Sequence, residues 1–309
     1  MKLTIVICTH NRSELLLKTL YSIYKADIPA DVDMRLLVIP NACSDNTMNT
    51  LEAFQKAQVT HNLTIQVVEE PRAGKSYALN KALSLIREGG VIFIDDDQRL
   101  DEEFFQAVVA AITRYPDTHI FCGKMFPDWT GDEPAWVHEQ GDYKITPIPL
   151  PEFDLGDSDL LLTEKSFIPS GGNLIIDYQV FEKIGNFSES LGPTGHNFVG
   201  SEDTDLLLRA LSVHEKIRYI PTIIQYHYVD LLRFKLNSLL LMNFQRNRSI
   251  MKIHQHEDSK IPNYLWLKLA KYSGHAVFSF NVSKTRFYLY KSAAIAGQIM
   301  GIIQSRPSV

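Results

Sequence analysis

Val91-Ile-Phe-Ile-Asp-Asp-Asp97 sets four apolar residues directly against three acids. A short apolar run that stops this sharply reads as a buried strand. Carboxylates at the end of such a strand are costly unless they meet a cation or water. Side chains alternate along an extended chain, so Asp95 and Asp97 can face one side together. Two carboxylates on one side suit Mg2+ or Mn2+, which take oxygen ligands and often share them with substrate phosphates. A solvated loop is the simpler reading of one isolated acid; three in a row at a strand end favour a metal.

The same strand-then-helix pattern extends outward in both directions. Leu3–Thr9 reads as a strand, followed by a helix from a Ser13 cap to about Tyr24 with Leu16, Leu20 and Ile23 on one face. Arg35–Ile39 is a second strand, and Ser44-Asp45 opens a helix to about Lys56. Leu63–Glu69 is a third strand, Lys75–Arg87 a helix ended by Gly89-Gly90, and Asp101 caps a helix to about Arg114. Strands alternating with helices predict an α/β fold, a mainly parallel sheet covered on both faces. Ligands of such sheets bind outside the carboxyl ends of the strands. That rule points to four turns: Thr9–Arg12, Pro40–Asp45, Pro71–Lys75 and Asp95–Asp97. Residues 115–170 are expected as strands and long loops. Asp177–Ile184 and Ser201–Leu211 read as helices, and Arg218–Ile220 and Ile223–Tyr228 as strands bracketing Pro221. Three glycines between Gly192 and Gly200 suggest a mobile loop, a lid or an ordinary connection. Helix resumes after Asp230, to about His256, and again from Pro262.

Several segments, in order, resemble one family. Ile94-Asp-Asp-Asp97 resembles the D-x-D-type motif of GT-A glycosyltransferases, specifically glycosyltransferase family 2. Val6-Ile-Cys-Thr-His-Asn-Arg12 resembles that family's first-strand motif, and Ile39-Pro-Asn-Ala-Cys-Ser-Asp-Asn-Thr47 its next turn. Arg72-Ala-Gly-Lys-Ser-Tyr-Ala-Leu-Asn80 resembles a nucleotide-contacting segment. Gly171-Gly-Asn-Leu174 and Gly185-Asn-Phe187 resemble acceptor-side elements, and Ser201-Glu-Asp-Thr-Asp-Leu206 resembles the E-D-x-x-L motif. The resemblance implies a GT-A domain over residues 1–230, its nucleotide-sugar half at about 1–115 and its acceptor half at about 116–230, with a helical extension over 231–309.

It also implies roles. Thr9, Asn11 and Arg12 border the nucleotide, Asn41 lies near the base, and Arg72 and Lys75 lie near base or phosphates. Asp95 and Asp97 straddle ribose and metal, with Asp96 at the same turn. His227 joins the metal site or is a structural strand histidine. Gly172 and Asn173 belong to the acceptor side. Asp203 is the expected general base of an inverting transfer. Glu202 tunes it, contacts the acceptor, or simply charges a helix N-terminus. Gln245-Arg-Asn-Arg248 resembles the R-N of non-processive members, which makes Arg246 either a diphosphate contact or a solvated helix arginine; Ser249 stands where processive synthases have Trp. The family usually places an acid where Pro40-Asn41 stands, and Asn41 both donates and accepts. UDP, GDP and dTDP therefore all stay open as donor carriers. The alternatives weighed are a sugar nucleotidyltransferase, against which the glycine-free Thr9–Arg12 turn counts, and a non-catalytic nucleotide-sugar or carbohydrate-binding protein, against which the intact acids count.

Net charge is −5, which does not suggest nucleic-acid binding. Three separated cysteines suggest reduced thiols, and the first apolar run is too short for a signal peptide, so a cytoplasmic protein is expected. The charge is uneven: residues 1–260 carry −11, whereas Ile261–Val309 holds six basic residues and no acid. Mixed with aromatics, that tail fits either an interfacial segment at the inner face of a membrane or helices packed on the chain itself or on another subunit. The first of these suits a lipid-linked acceptor; a glycan is the other. Gly297-x-x-x-Gly301 is read as informative only in a membrane helix.

Overall fold

The computed structural model describes residues 1–58, 63–163, 166, 169, 171–192, 202–253 and 261–305. All but the first residue of the Gly192–Gly200 loop, read above as a lid or a connection, lies outside them, as does Ser201. The chain forms two compact units, Met1–Asp128 with Pro151–Tyr228, and Trp129–Leu150 with Val229–Val309.

The first unit is built on one mixed sheet. Its strands are β1 (Lys2–Thr9), β2 (Asp33–Pro40), β3 (Thr64–Val67), β4 (Gly90–Phe93), β5 (Gln98–Leu100), β6 (Ile120–Asp128), β7 (Leu160–Leu162), β8 (Leu174–Asp177) and β9 (Ile217–Tyr228). Their order is β3-β2-β1-β4-β8-β6-β9-β5, with β7 also on β9. β3, β2, β1 and β4 run parallel; β8 is antiparallel to β4 and β6, and β5 is antiparallel to β9. Period-two alternation divides the side chains between two layers. Val6, Leu37, Val91 and Phe93 face α3 (Lys75–Ser84), α5 (Tyr178–Ile184) and α6 (Glu202–Ser212). Ile5, Ile7, Val38, Ile92 and Ile94 face α1 (Ser13–Lys25), α2 (Thr47–Ala57) and α4 (Phe104–Arg114).

Three local expectations change. Ser13 is the first helical residue of α1, which has no side-chain cap; its N–H reaches Asp45 Oδ2 at 3.4 Å. α2 starts at Thr47, because Asp45 Oδ1 accepts the Thr47 N–H (3.0 Å) and turns the chain before the helix. The two strands around Pro221 are one, β9. Its register against β6 shifts between Cys122 and Lys124, where the extra β9 residues around Pro221 are accommodated in an irregularity.

In the second unit α7 (Leu236–Ile253), α8 (Asn263–Val277) and α9 (Val282–Gln304) pack together. Gly297 and Gly301 lie on the α9 face against α7. A Cβ on Gly297 would strike the Phe244 carbonyl, and one on Gly301 would fall 2.6 Å from the Arg248 carbonyl. The Gly-x-x-x-Gly spacing thus serves close helix packing outside a membrane span, a correction to its reading above. Asn243, Asn247 and Gln298 form a polar seam between the two helices: Asn247 Nδ2 donates to Asn243 Oδ1 (3.0 Å) and Gln298 Nε2 to Asn247 Oδ1 (3.0 Å). Ile145 packs with Leu239 and Tyr290, and Trp136 meets Phe234 edge-on and lies under the Arg286 guanidinium. These contacts tie Trp129–Leu150 to the C-terminal helices, although it sits inside the sequence expected to be one unbroken domain to residue 230. Among the described residues no helix is long and apolar enough to cross a membrane.

Candidate active site

β4 ends at Phe93, and the chain turns at Asp96-Asp97 before re-entering the sheet as β5. The turn is held on all sides. Gln98 Oε1 accepts the Asp95 N–H (3.0 Å), Thr19 Oγ1 donates to the Asp96 carbonyl (3.0 Å), and the Tyr228 N–H donates to the Asp97 carbonyl (2.9 Å). Strand alternation therefore does not carry through the acids, and the three carboxylates meet different sets of partners.

Asp96 points inward. Its Oδ2 accepts from Thr9 Oγ1 (2.7 Å) and its Oδ1 from Arg12 Nη1 (3.0 Å). Burial raises its carboxyl above the usual range and Asp97 adds to this, while Arg12 and Thr9 pull it back. Arg12 Nη1 also reaches Asp97 Oδ2 (3.0 Å), so one guanidinium ties both acids to the start of α1.

Asp97 also faces His227, with Oδ2 to Nε2 at 3.3 Å. His227 Nδ1 lies 2.8 Å from the Tyr228 carbonyl, which can only accept, so Nδ1 carries a proton and Nε2 is the nitrogen turned to Asp97. This arrangement fits a divalent cation. A backbone acceptor on one imidazole nitrogen orients the other as a ligand. Two ligand atoms at about 3 Å from each other match neighbouring positions around Mg2+ or Mn2+. Among the described residues no group of three or more His, Cys, Asp or Glu is placed to hold a metal ion, so a cation on Asp97 and His227 would need phosphate or water to complete its shell. Asp95, expected as the second carboxylate ligand, is paired with a lysine.

That lysine is Lys75, the first residue of α3. Its Nζ is 2.6 Å from Asp95 Oδ1 and 3.9 Å from Glu202 Oε1. Burial works against its charge, but Asp95 and Glu202 outweigh burial and raise the ammonium's pKa. Glu202 opens α6 and is buried; burial pushes its carboxyl up to about 7 against the pull of Lys75. Asp203 follows. Its Oδ2 accepts the Gly171 N–H (2.5 Å) and its Oδ1 the Thr204 N–H (2.7 Å). Lys75, Asp95, Gly171, Glu202 and Asp203 line one cleft whose apolar side includes Val6, Cys8 and Phe187.

Other expected site residues hold the scaffold. Asn11 adopts φ 53°, and its Oδ1 accepts the N–H groups of Ser44 (2.7 Å) and Asp45 (3.1 Å). Asn41 is 4% exposed; Nδ2 donates to the Glu70 (3.0 Å) and Arg72 (2.7 Å) carbonyls, and Oδ1 accepts the Gly74 N–H (2.8 Å). Both amide protons are thus engaged in shaping the 70–74 turn, which leaves no donor for a base. Arg72 is clamped by Glu70 through Nε (2.9 Å) and Nη2 (3.0 Å) and stacks over Tyr77, with much of its side chain in water. Gly172 has no room for a side chain beside Asp95 and Gln98. Asn173 is buried, bonding both ways to the Gly123 backbone (2.9 and 2.6 Å) and accepting from Gln225 Nε2 (2.9 Å). Arg246 stands on α7 of the second unit.

Sequence reasoning overlooked Glu70, Gln98 and Gln225. Glu70 stands two residues before Arg72, a spacing that allows a local ion pair. Gln98 directly follows the acids. Gln225 lies on the His227 face of β9, and its Nε2 donates to the Gly172 carbonyl (2.8 Å).

Comparison with known proteins fits this geometry. No curated protein matches the chain. Among solved structures it resembles the mannosyltransferase PcManGT from Pyrobaculum calidifontis in complex with GDP-Man and Mn2+, at TM-score 0.60 and 16% identity, covering 98% of this chain and 86% of that one. It also resembles residues 1–349 of S. aureus TarS in complex with UDP (TM-score 0.56, 16% identity) and with UDP-GlcNAc (0.55, 15%), each covering 99% of this chain and 91% of that one. At such identities the shared property is the GT-A fold. The sequence model of Glycosyl transferase family 2 matches residues 4–185, more than half of the chain. This chain therefore belongs to glycosyltransferase family 2, whose members transfer sugars.

Proposed function

We propose that the chain moves a sugar, with inversion, from a UDP-, GDP- or dTDP-sugar to a hydroxyl of a glycan or lipid-linked acceptor, with Asp203 as general base. The observation that carries this reading is that Asp203 and the Asp95–Lys75 pair line the same cleft, on separate elements. The acceptor oxygen attacks the anomeric carbon as the bond to the diphosphate breaks. The bond's electron pair leaves with the diphosphate, and the acceptor's proton passes to the Asp203 carboxylate. The Gly171 and Thr204 N–H groups hold that carboxylate in one orientation. Lys75 sets a cation at the donor end of the cleft, and Arg12 fixes the acid turn. Asp97 and His227 would hold Mg2+ or Mn2+, which neutralises charge on the departing diphosphate. Asn41 supports the 70–74 turn beside the donor site.

The test is a panel of UDP-, GDP- and dTDP-sugars scored by thermal shift with and without Mn2+, followed by turnover of the stabilising donor. Asp203→Asn is expected to keep donor binding and lose at least about a hundredfold in transfer. Unchanged turnover in Asp203→Asn removes the base assignment; no stabilisation by any donor removes the donor class.

A further inference from the structure

The turn joining α8 to α9 is apolar and stands in water. Val277, Phe278, Phe280 and Val282 are 77, 81, 106 and 74% exposed. Four large apolar side chains within six residues form the kind of exposed patch that marks a binding surface. The patch continues along α8. At 100° per residue, Leu267, Lys271, Gly274 and Phe278 fall within about 60° of one another. Leu267 is largely exposed, and a Cβ on Gly274 would meet nothing within 4 Å. Trp266 and Tyr264 are exposed near the start of the same helix. The inner side of these helices is separately filled by Leu265, Ile295, Ile299 and Ile302, so the exposed residues are not a core left open.

Charge identifies the occupant. From Ile261 to Val309 the chain has six basic residues and no acid. Arg286 is partly neutralised by Glu139 at 3.7 Å. Lys271 lies on the exposed stripe, and Lys284 follows two residues after Val282. A second copy docking here through a two-fold contact would set these like charges against each other. A protruding pair of phenylalanines flanked by lysines instead matches a surface that is apolar inside and anionic outside. With no helix able to span a bilayer among the described residues, binding of this kind lies in the interface plane.

We propose that the α8–α9 turn docks on an anionic lipid surface, with Phe278 and Phe280 entering the acyl boundary and Lys271 and Lys284 meeting headgroups. This is independent of the sugar-transfer reading. The test is co-sedimentation of the full chain with vesicles of phosphatidylcholine alone and of phosphatidylcholine with phosphatidylglycerol. Binding is expected to the mixed vesicles, to weaken with salt, and to fall at least about tenfold in Phe278→Ser/Phe280→Ser. Lys271→Glu/Lys284→Glu is expected to lose the preference for phosphatidylglycerol. Both variants should keep the parent's thermal unfolding, which shows that they fold. The proposal is overturned if the parent does not sediment with mixed vesicles or if Phe278→Ser/Phe280→Ser binds like the parent. It is equally overturned if light scattering finds a dimer that this variant dissociates.

Discussion

Gly172→Ala separates donor positioning from proton transfer. A Cβ on Gly172 would fall 2.5 Å from Asp95 Oδ2 and 2.8 Å from Asp95 Cγ, and closer still to Gln98 Nε2. Non-bonded heavy atoms settle at about 3.5 Å, so something must move by roughly an ångström. Gln98 is 1% exposed and its Oε1 holds the Asp95 N–H, so its displacement disturbs the whole turn. The Asp95 carboxylate has room, being about one-third exposed, but moving it lengthens its 2.6 Å contact with Lys75. Overpacking of this kind costs about 1–3 kcal/mol in stability. A displacement of about 1 Å in a positioning group costs about a hundredfold in rate. Gly171→Ala is the control: its Cβ would lie 3.3 Å from Asp203 Oδ2, which a few tenths of an ångström relieve. Hydrolysis of the donor, read as released nucleoside diphosphate, needs no knowledge of the acceptor. Gly172→Ala is expected to lose about a hundredfold in kcat/KM and Gly171→Ala less than about tenfold. A Gly172→Ala protein that unfolds at the parent's temperature and keeps its rate within about threefold would refute the reasoning.

Three further outcomes follow from other contacts. His227→Ala should weaken Mn2+-dependent donor stabilisation by about ten- to a hundredfold in the metal concentration required, and an unchanged Mn2+ titration excludes His227 as a ligand. Burial raises the Glu202 carboxyl from an ordinary 4.5 to about 7 despite Lys75. The folded chain therefore holds more protons than the unfolded chain between those values, and stability falls as pH rises through that interval. Glu202→Gln should thus gain melting temperature over the parent at pH 8 and lose the advantage near pH 4.5; an advantage that grows on acidification contradicts the assignment. In the second unit, Gly297→Ala forces α9 off the Phe244 carbonyl and should cost about 1–3 kcal/mol, seen as a lower melting temperature with donor binding intact.

Much of the first unit was legible because its signals are local. Apolar runs such as Val91–Ile94 can be buried on both faces only as inner strands, and the polar turns at their carboxyl ends mark where a ligand binds. The antiparallel insertion of β8 between β4 and β6 was not legible, since strand direction depends on which edges meet. Trp129–Leu150 likewise shows no sign in its sequence that Trp136 will pack on Phe234, about a hundred residues later.

The three aspartates show where the division falls. The sequence alone determined that they close a buried strand at the carboxyl edge of the sheet in a family 2 sugar transferase, because apolar periodicity and motif order are written along the chain. Only the tertiary structure decided that Asp95 pairs with Lys75, Asp96 with Thr9 and Arg12, and Asp97 with Arg12 and His227. The chain turns among these residues rather than continuing as a strand, and a buried carboxylate takes whichever cation or hydrogen-bond donor other elements bring within reach.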